Sequence, residues 1–278
     1  MPALIKDFSG KRLVEYLKPG MRVLVKFDWH GVGDMIMFQP LYQKLKQLYP
    51  DVEFHLKGNS DHQYFYETPE APVDIIFDIT FRETTGIRDD GHFWSKPEYC
   101  AVKELGIPWE PSLEFSWKPD KWNTDLKIKD NCIGFIAQVQ SCPDKGLAWD
   151  TAMFLWNRIK AKGFTPIEVT FRNLNKNAKN GKCSFIDYTC RDMEPTVENM
   201  ISVIKQCKGF VGVNTGTFCA ATCIMDGHVL HLYKRHHFGD FYKRHNPVPE
   251  MDCTKSEGLD FTVLDDYLES CRDSNQPR

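Results

Sequence analysis

The sequence has no apolar run approaching the ~20 residues that a membrane-spanning helix needs, and its opening stretch, MPALIKDFSGKR, lacks the apolar core of an export signal. Both absences lead to the expectation of a cytoplasmic chain without a membrane span. None of its ten cysteines forms a CxxC pair, so the common zinc spacing is missing and no metal site is expected. Without an export signal, reduced and partly buried thiols are expected rather than a disulfide framework. Charge of one sign is not in excess either. The formal net charge is −3, so no global field draws the chain to nucleic acid or to an anionic membrane. A complete G-x-G-x-x-G with a following ribose-binding acid is also lacking, which disfavours nicotinamide-dependent hydride transfer.

What is present is the composition of an ordinary globular protein. The 278 residues are 42% hydrophobic and 26% charged, enough to build two domains of common size. One local exception to the charge balance holds Lys234, Arg235, His236, His237, Lys243, Arg244 and His245, interleaved with Phe238, Phe241 and Tyr242.

The hydrophobic pattern alternates strand and helix. RVLVKF at 22–27 is short, β-branched and apolar, as a strand buried in a parallel sheet should be. The turn His30-Gly31-Val32-Gly33-Asp34 follows, and then Phe38, Leu41, Leu45 and Leu48 recur at helical spacing up to Pro50. Strands are expected at 52–56 and 73–79, and a helix at 96–106. From residue 107 to 131 prolines and tryptophans interrupt the pattern, which marks an interdomain connection. The rings of Trp109, Trp117 and Trp122 are expected to pack on one or both domains. The rhythm then restarts: a strand at 132–137, a helix capped by Asp150, a strand at 167–171, a helix at 195–207, a strand at 210–213, a turn at 214–217, a helix at 218–225 and a strand at 228–233. The fold class expected is α/β, with two Rossmann-like parallel-sheet domains; that they face a central cleft is what the family resemblance given below implies. The domains expected are residues 1–120, an acceptor-side domain; residues 121–258, a donor-binding domain; and a C-terminal helix in 259–278 packing back on the N-terminal domain.

The two strand-turn-helix junctions are where chemistry is expected. A helix N-terminus offers unpaired N–H groups and partial positive charge, and glycine lets a ligand approach the backbone. Asp34 stands where an N-capping carboxylate would stand. Its two readings are a cap for the following helix and a base facing a crevice, and they compete, because an oxygen engaged by backbone donors is a poorer base. At the second junction Asn214, Thr215, Gly216 and Thr217 read as a phosphate cradle or as close packing of helix on sheet through Ala220 and Ala221. Lys145 could set an ammonium against the same phosphates; a solvated loop lysine is the plain alternative.

Taken together, MRVLVKFDWHGVGDMIMFQPLYQKLKQLYPDVEFHL, KGLAW and CKGFVGVNTGTFCAA resemble the heptosyltransferase-like group of glycosyltransferases, family 9, which has the GT-B fold. The resemblance implies an inverting transfer of a sugar from a nucleotide-diphosphate donor to an acceptor hydroxyl, with no further cofactor. It implies that Asp34 is the catalytic base, that Lys145 and Ser141 meet the donor, and that Asn214, Thr215, Gly216 and Thr217 hold its diphosphate. Gly33, His30, Lys234, Arg235 and His237 are candidate acceptor or phosphate contacts. The chain departs from the family pattern at Asn214, where the family has Asp, at Thr217, where it has Pro, and at Cys219, where it has His. No D-x-D triplet occurs, so a divalent ion bridging the phosphates is not indicated, and Lys145 with the helix end at 214–217 would replace it. The acceptor is a saccharide or a modified DNA base. Transfer to a hydroxymethylated base, as by enzymes of some large phages, is kept open by the 234–245 patch and opposed by the acidic balance. A third reading is a nucleotide-sugar-binding module without catalysis.

Overall fold

The protein is described from a computed structural model, which covers residues 3–6, 11–27, 31–58, 60–79, 95–139, 146–171, 186–234, 248–255 and 258–273. The chain divides into two compact units between Trp117 and Lys118, inside the proline- and tryptophan-rich stretch and close to residue 120.

In the first unit the strands β1 (Ala3–Lys6), β2 (Arg22–Lys26), β3 (Glu53–Lys57) and β4 (Ile75–Asp78) pair in the order β1-β4-β2-β3, and every ladder is parallel. Val23, Leu24 and Val25 of β2 are all buried, the continuous apolar run that a strand covered on both faces requires. Helix α1 (Val32–Leu48) buries Met35, Ile36, Met37, Phe38, Leu41, Tyr42 and Leu45, and Phe38 meets the Phe27 ring edge-on at 4.4 Å. Helix α2 (Lys96–Tyr99) runs on as a π-helical segment, Cys100–Leu105. Gly106, at φ +80°, ends it, a left-handed backbone that suits glycine.

The second unit carries β5 (Cys132–Ile136), β6 (Thr165–Glu168), β7 (Gly209–Gly212), β8 (Val229–Tyr233) and β9 (Glu250–Asp252), in the order β6-β5-β7-β8-β9. These ladders are also parallel throughout. Helices α3 (Trp149–Ala161), α4 (Val197–Gln206), α5 (Gly216–Ile224) and α6 (Thr262–Asp273) complete it. Gly134 and Gly212 let the central strands pack tightly: a methyl group at Gly134 would lie 2.4 Å from the Phe210 ring, and one at Gly212 would lie 2.4 Å from Cγ2 of Ile136.

Three sequence expectations need correction. Asp150 does not cap α3; the cap is Ala148, and Asp150 lies in the first helical turn, where a carboxylate still complements the helix dipole. Helix α6 belongs to the second unit, not the first. Leu264, Tyr267, Leu268 and Cys271 share its core with Phe135 and Trp156, the Tyr267 hydroxyl accepts from the Phe210 N–H at 2.7 Å, and Asp265 accepts from Arg158 at 2.8 Å. The third correction concerns strands β1 and β9, which hydrophobic patterning did not indicate.

The connection between the units is tied down by side chains. Trp117 packs on Tyr64 and Phe65 of the first unit. Trp122 lies under Lys205 of α4, while Asn123 bonds Asn199 and the Asn123 carbonyl accepts from Ser202. Among the described residues, no helix is long and apolar enough to cross a membrane.

Candidate functional site

In the first unit the chain passes from β2 through α1 to β3 on one side, then returns to β4 on the other side of β2. Connections diverge at the β2/β4 boundary, and in open parallel sheets the crevice at such a switch point, beyond the carboxyl ends of the strands, receives ligands. Helix α1 begins there.

Asp34 is the third residue of α1 and not its cap; the cap position is Gly31. Having no side chain to offer, Gly31 instead donates its own N–H to Asp34 Oδ2 at 3.1 Å, the acidic half of a capping box. The other oxygen, Oδ1, accepts from Lys96 Nζ at 3.2 Å. Asp34 keeps 22% of its side-chain surface exposed and Lys96 17%, so the pair is neither sealed in the core nor freely solvated. Gly33 lies beside it, half-buried.

In the second unit the strand order is 2-1-3-4-5 in chain order, with the switch point between β5 and β7. The turn 214–217 leaves β7 at that boundary. Thr215 caps α5, its hydroxyl accepting from the Phe218 N–H at 3.1 Å. The Cys219 N–H is the first to bond back within the helix, to the Thr215 carbonyl at 2.9 Å. The N–H groups of Gly216 and Thr217 precede it and have no intrahelical acceptor, and no acidic residue stands in the first turn. This is the electrostatics of an anion site. Packing by small residues holds as well, since Ala220 and Ala221 are fully buried. Two of the departures from the family pattern touch: the Cys219 thiol faces Asn214 Oδ1 at 3.9 Å.

The loop after β5 is clamped at its base. Leu147 N–H donates to the Ala137 carbonyl at 2.8 Å, and Gln138 Nε2 to the Leu147 carbonyl at 2.7 Å. Ser141 and Lys145 fall within the span between these stems and, like His30, Arg235 and His237, lie outside the described residues. Lys234 follows β8 and is half-buried.

Sequence reasoning missed Lys96. Its local signal was legible, because Ser95-Lys96-Pro97-Glu98 is a capping box in which Ser95 N–H and Glu98 Oε2, and Glu98 N–H and Ser95 Oγ, pair at 3.4 Å. Its meeting with Asp34, 62 residues away, was not.

Thiol chemistry has little support among the described cysteines, all eight of which are buried thiols outside any disulfide. Burial pushes Cys132 up to about 11 and both Cys190 and Cys253 up to about 12, which keeps them protonated and unreactive near neutrality. Among the described residues no group of three or more His, Cys, Asp or Glu side chains gathers as a metal site.

No protein-family model matches the sequence, and no curated protein matches it. Solved structures do match the fold. The dodecameric iron-containing glycosyltransferase TibC of enterotoxigenic E. coli is 12% identical with a TM-score of 0.58, over 92% of this chain and 80% of that one. E. coli ADP-heptose lipopolysaccharide heptosyltransferase II is 14% identical at a TM-score of 0.57, over 90% and 98%. E. coli heptosyltransferase WaaC with ADP is 13% identical at 0.56, over 90% and 100%. The fold is thus the α/β, two-sheet GT-B fold of glycosyltransferase family 9 structures.

Proposed function

We propose that the chain is a glycosyltransferase that moves a sugar from a nucleoside-diphosphate donor to an acceptor hydroxyl, with inversion and without a metal ion or further cofactor. The observation that carries this reading is the α5 N-terminus at the β5/β7 switch point, with Gly216 and Thr217 N–H groups at a helix start free of acidic side chains. Such an end neutralises a leaving diphosphate in the way a cation otherwise would. On the acceptor side Asp34 takes the hydroxyl proton while the oxygen bonds to the anomeric carbon. The bond from that carbon to the diphosphate breaks, and the diphosphate departs with its electron pair. A carboxylate offers about four lone-pair positions, and among the described residues two of those on Asp34 are engaged, which is compatible with an acceptor bonding to a third.

The test is a thermal-shift panel of nucleotide sugars in the presence of chelator. Adenosine diphosphate sugars head the panel, because the similar WaaC and TibC were solved with ADP-2-deoxy-2-fluoro heptose and ADP-D-β-D-heptose. A specific donor at 100 times its Kd should add about 2.7 kcal/mol. Stabilisation only with added divalent metal sinks the metal-independent mechanism. The anomeric configuration of the product, read by NMR, decides inversion.

One observation favours a second reading, a nucleotide-sugar-binding module without catalysis: both oxygens of Asp34 already serve backbone and lysine. In that case Asp34→Asn leaves donor binding intact and there is no turnover to lose, whereas for a transferase it abolishes turnover. The DNA-base acceptor rests on the 234–245 patch, of which only Lys234 is described. A steep fall of activity with salt on a polynucleotide would identify it.

A further inference from the structure

We propose that Lys96 is the positioning residue of the catalytic carboxylate, holding Asp34 in one orientation at the β2/β4 switch point; this rests on the transferase reading above. The two residues leave adjacent strands on the two sides of that boundary. Asp34 follows β2 on α1, and Lys96 opens α2 in the connection that follows β4. Their link at 3.2 Å ties together the two elements that follow the strands flanking the switch point of the first unit.

The backbone of Lys96 is set before the ammonium does any work. Ser95 and Glu98, 2% and 3% exposed, close a reciprocal capping box around it, and Pro97 fixes the next backbone angle. With its root fixed and only 17% of its side chain exposed, Lys96 has few ways to point, and a pre-ordered group loses little entropy on bonding. Asp34 is held from the other side by the Gly31 N–H on Oδ2. One oxygen on each partner leaves the carboxylate no free rotation about its last bond. That is the condition for presenting an unshared pair to an acceptor hydroxyl in a repeatable geometry. A pair needed only for folding would not have to stand at the switch point with a fifth of its surface open.

The test uses the full chain and measures nucleoside diphosphate released from the nucleotide sugar that stabilises it most in the thermal-shift panel. Lys96→Met removes the ammonium and keeps the stem. It should lower kcat by about 100-fold, the effect of misplacing a reacting group by ~1 Å, with KM for the nucleotide sugar and the donor-induced thermal shift unchanged. Lys96→Arg should recover most of the lost kcat. A water-soluble carbodiimide supplies a readout independent of turnover: it joins the Asp34 carboxylate to the Lys96 amine as an amide and carries off the water as its urea. The 34–96 cross-linked peptide should appear in the parent and vanish in Asp34→Asn. Unchanged kcat in Lys96→Met, a loss carried by KM, no recovery in Lys96→Arg, or no cross-link in the parent would each overturn the positioning role alone. A parent that releases no nucleoside diphosphate and is stabilised by no nucleotide sugar overturns the transferase reading and this inference with it.

Discussion

Gly212→Ala places one methyl group at the carboxyl end of β7, directly before the turn that leads into α5. The new carbon would lie 2.4 Å from Cγ2 of Ile136 and 3.0 Å from the Ile136 carbonyl oxygen. Carbon atoms attract at about 3.5–4.0 Å, so β5 and β7 must separate by roughly 1 Å or Ile136 must leave its rotamer. Overpacking of this kind costs about 1–3 kcal/mol. At roughly 2–4 °C per kcal/mol for a unit of this size, a 2 kcal/mol loss lowers Tm by about 4–8 °C, read by calorimetry. Ile136→Ala alone should cost about 2–5 kcal/mol as a cavity, since Ile136 is 5% exposed. Combined, the two changes should cost less than their sum by at least about 0.5 kcal/mol, because truncation removes the Cγ2 that the new methyl meets. The backbone oxygen stays, so recovery is partial. The donor-induced thermal shift should shrink as well, since β5 and β7 bound the switch point. Stability within about 0.5 kcal/mol of the parent, or strict additivity in the double variant, would refute the claim that close strand packing sets the second site.

Thr215→Ala removes the acceptor of the Phe218 N–H and should cost about 1 kcal/mol in urea denaturation, with Thr215→Ser retaining most of it; equal costs for the two would mean that the hydroxyl does not cap. Asp265 is held below the usual aspartate range by hydrogen bonding from Arg158 first and from Lys162, against the opposing effect of burial. A depressed native value means the unfolded chain binds the proton more readily. The stabilisation from the Asp265 ion pair is therefore complete above about pH 3.9 and is lost as pH falls through the lower native value. Melting curves over that range should show Asp265→Asn converging on the parent at the acid end, and parallel curves would exclude the linkage.

The strand and helix order was legible because burial on both faces writes continuous apolar runs, as at Val23-Leu24-Val25, and because glycine breaks mark the turns. Strand β9 was not: Glu250, Met251 and Asp252 hold one buried apolar side chain, and an edge position requires no more. Strand β1 (Ala3–Lys6) was not followed by the strand-turn-helix pattern that marked the other short strands. Asp150 misled because its spacing suits a cap, yet the backbone enters the helix one turn position earlier, at Trp149. For the candidate site, Thr215 and Asp34 were visible as local patterns at glycine turns. The Lys96 partner was invisible, since only the pairing of β4 with β2 decides that the helix following one meets the helix following the other.

The two junctions repeat one backbone plan with opposite electrostatics, and that difference assigns their roles. At the start of α1 the helix dipole is already answered by a carboxylate of the chain itself, Asp34, and the Lys96 ammonium beside it is already paired with that carboxylate, so this end has less to offer a second anion. At the start of α5 the first turn holds no acid and the cap is the neutral Thr215 hydroxyl, so no negative charge of that turn answers its positive end. A diphosphate thus favours α5, while a neutral hydroxyl that must lose a proton favours the place where a carboxylate is kept. Reversing the two, by Thr217→Asp at α5, should abolish stabilisation by nucleotide sugars while leaving the fold of the first unit unchanged. Retained donor binding in that variant would mean the diphosphate lies elsewhere.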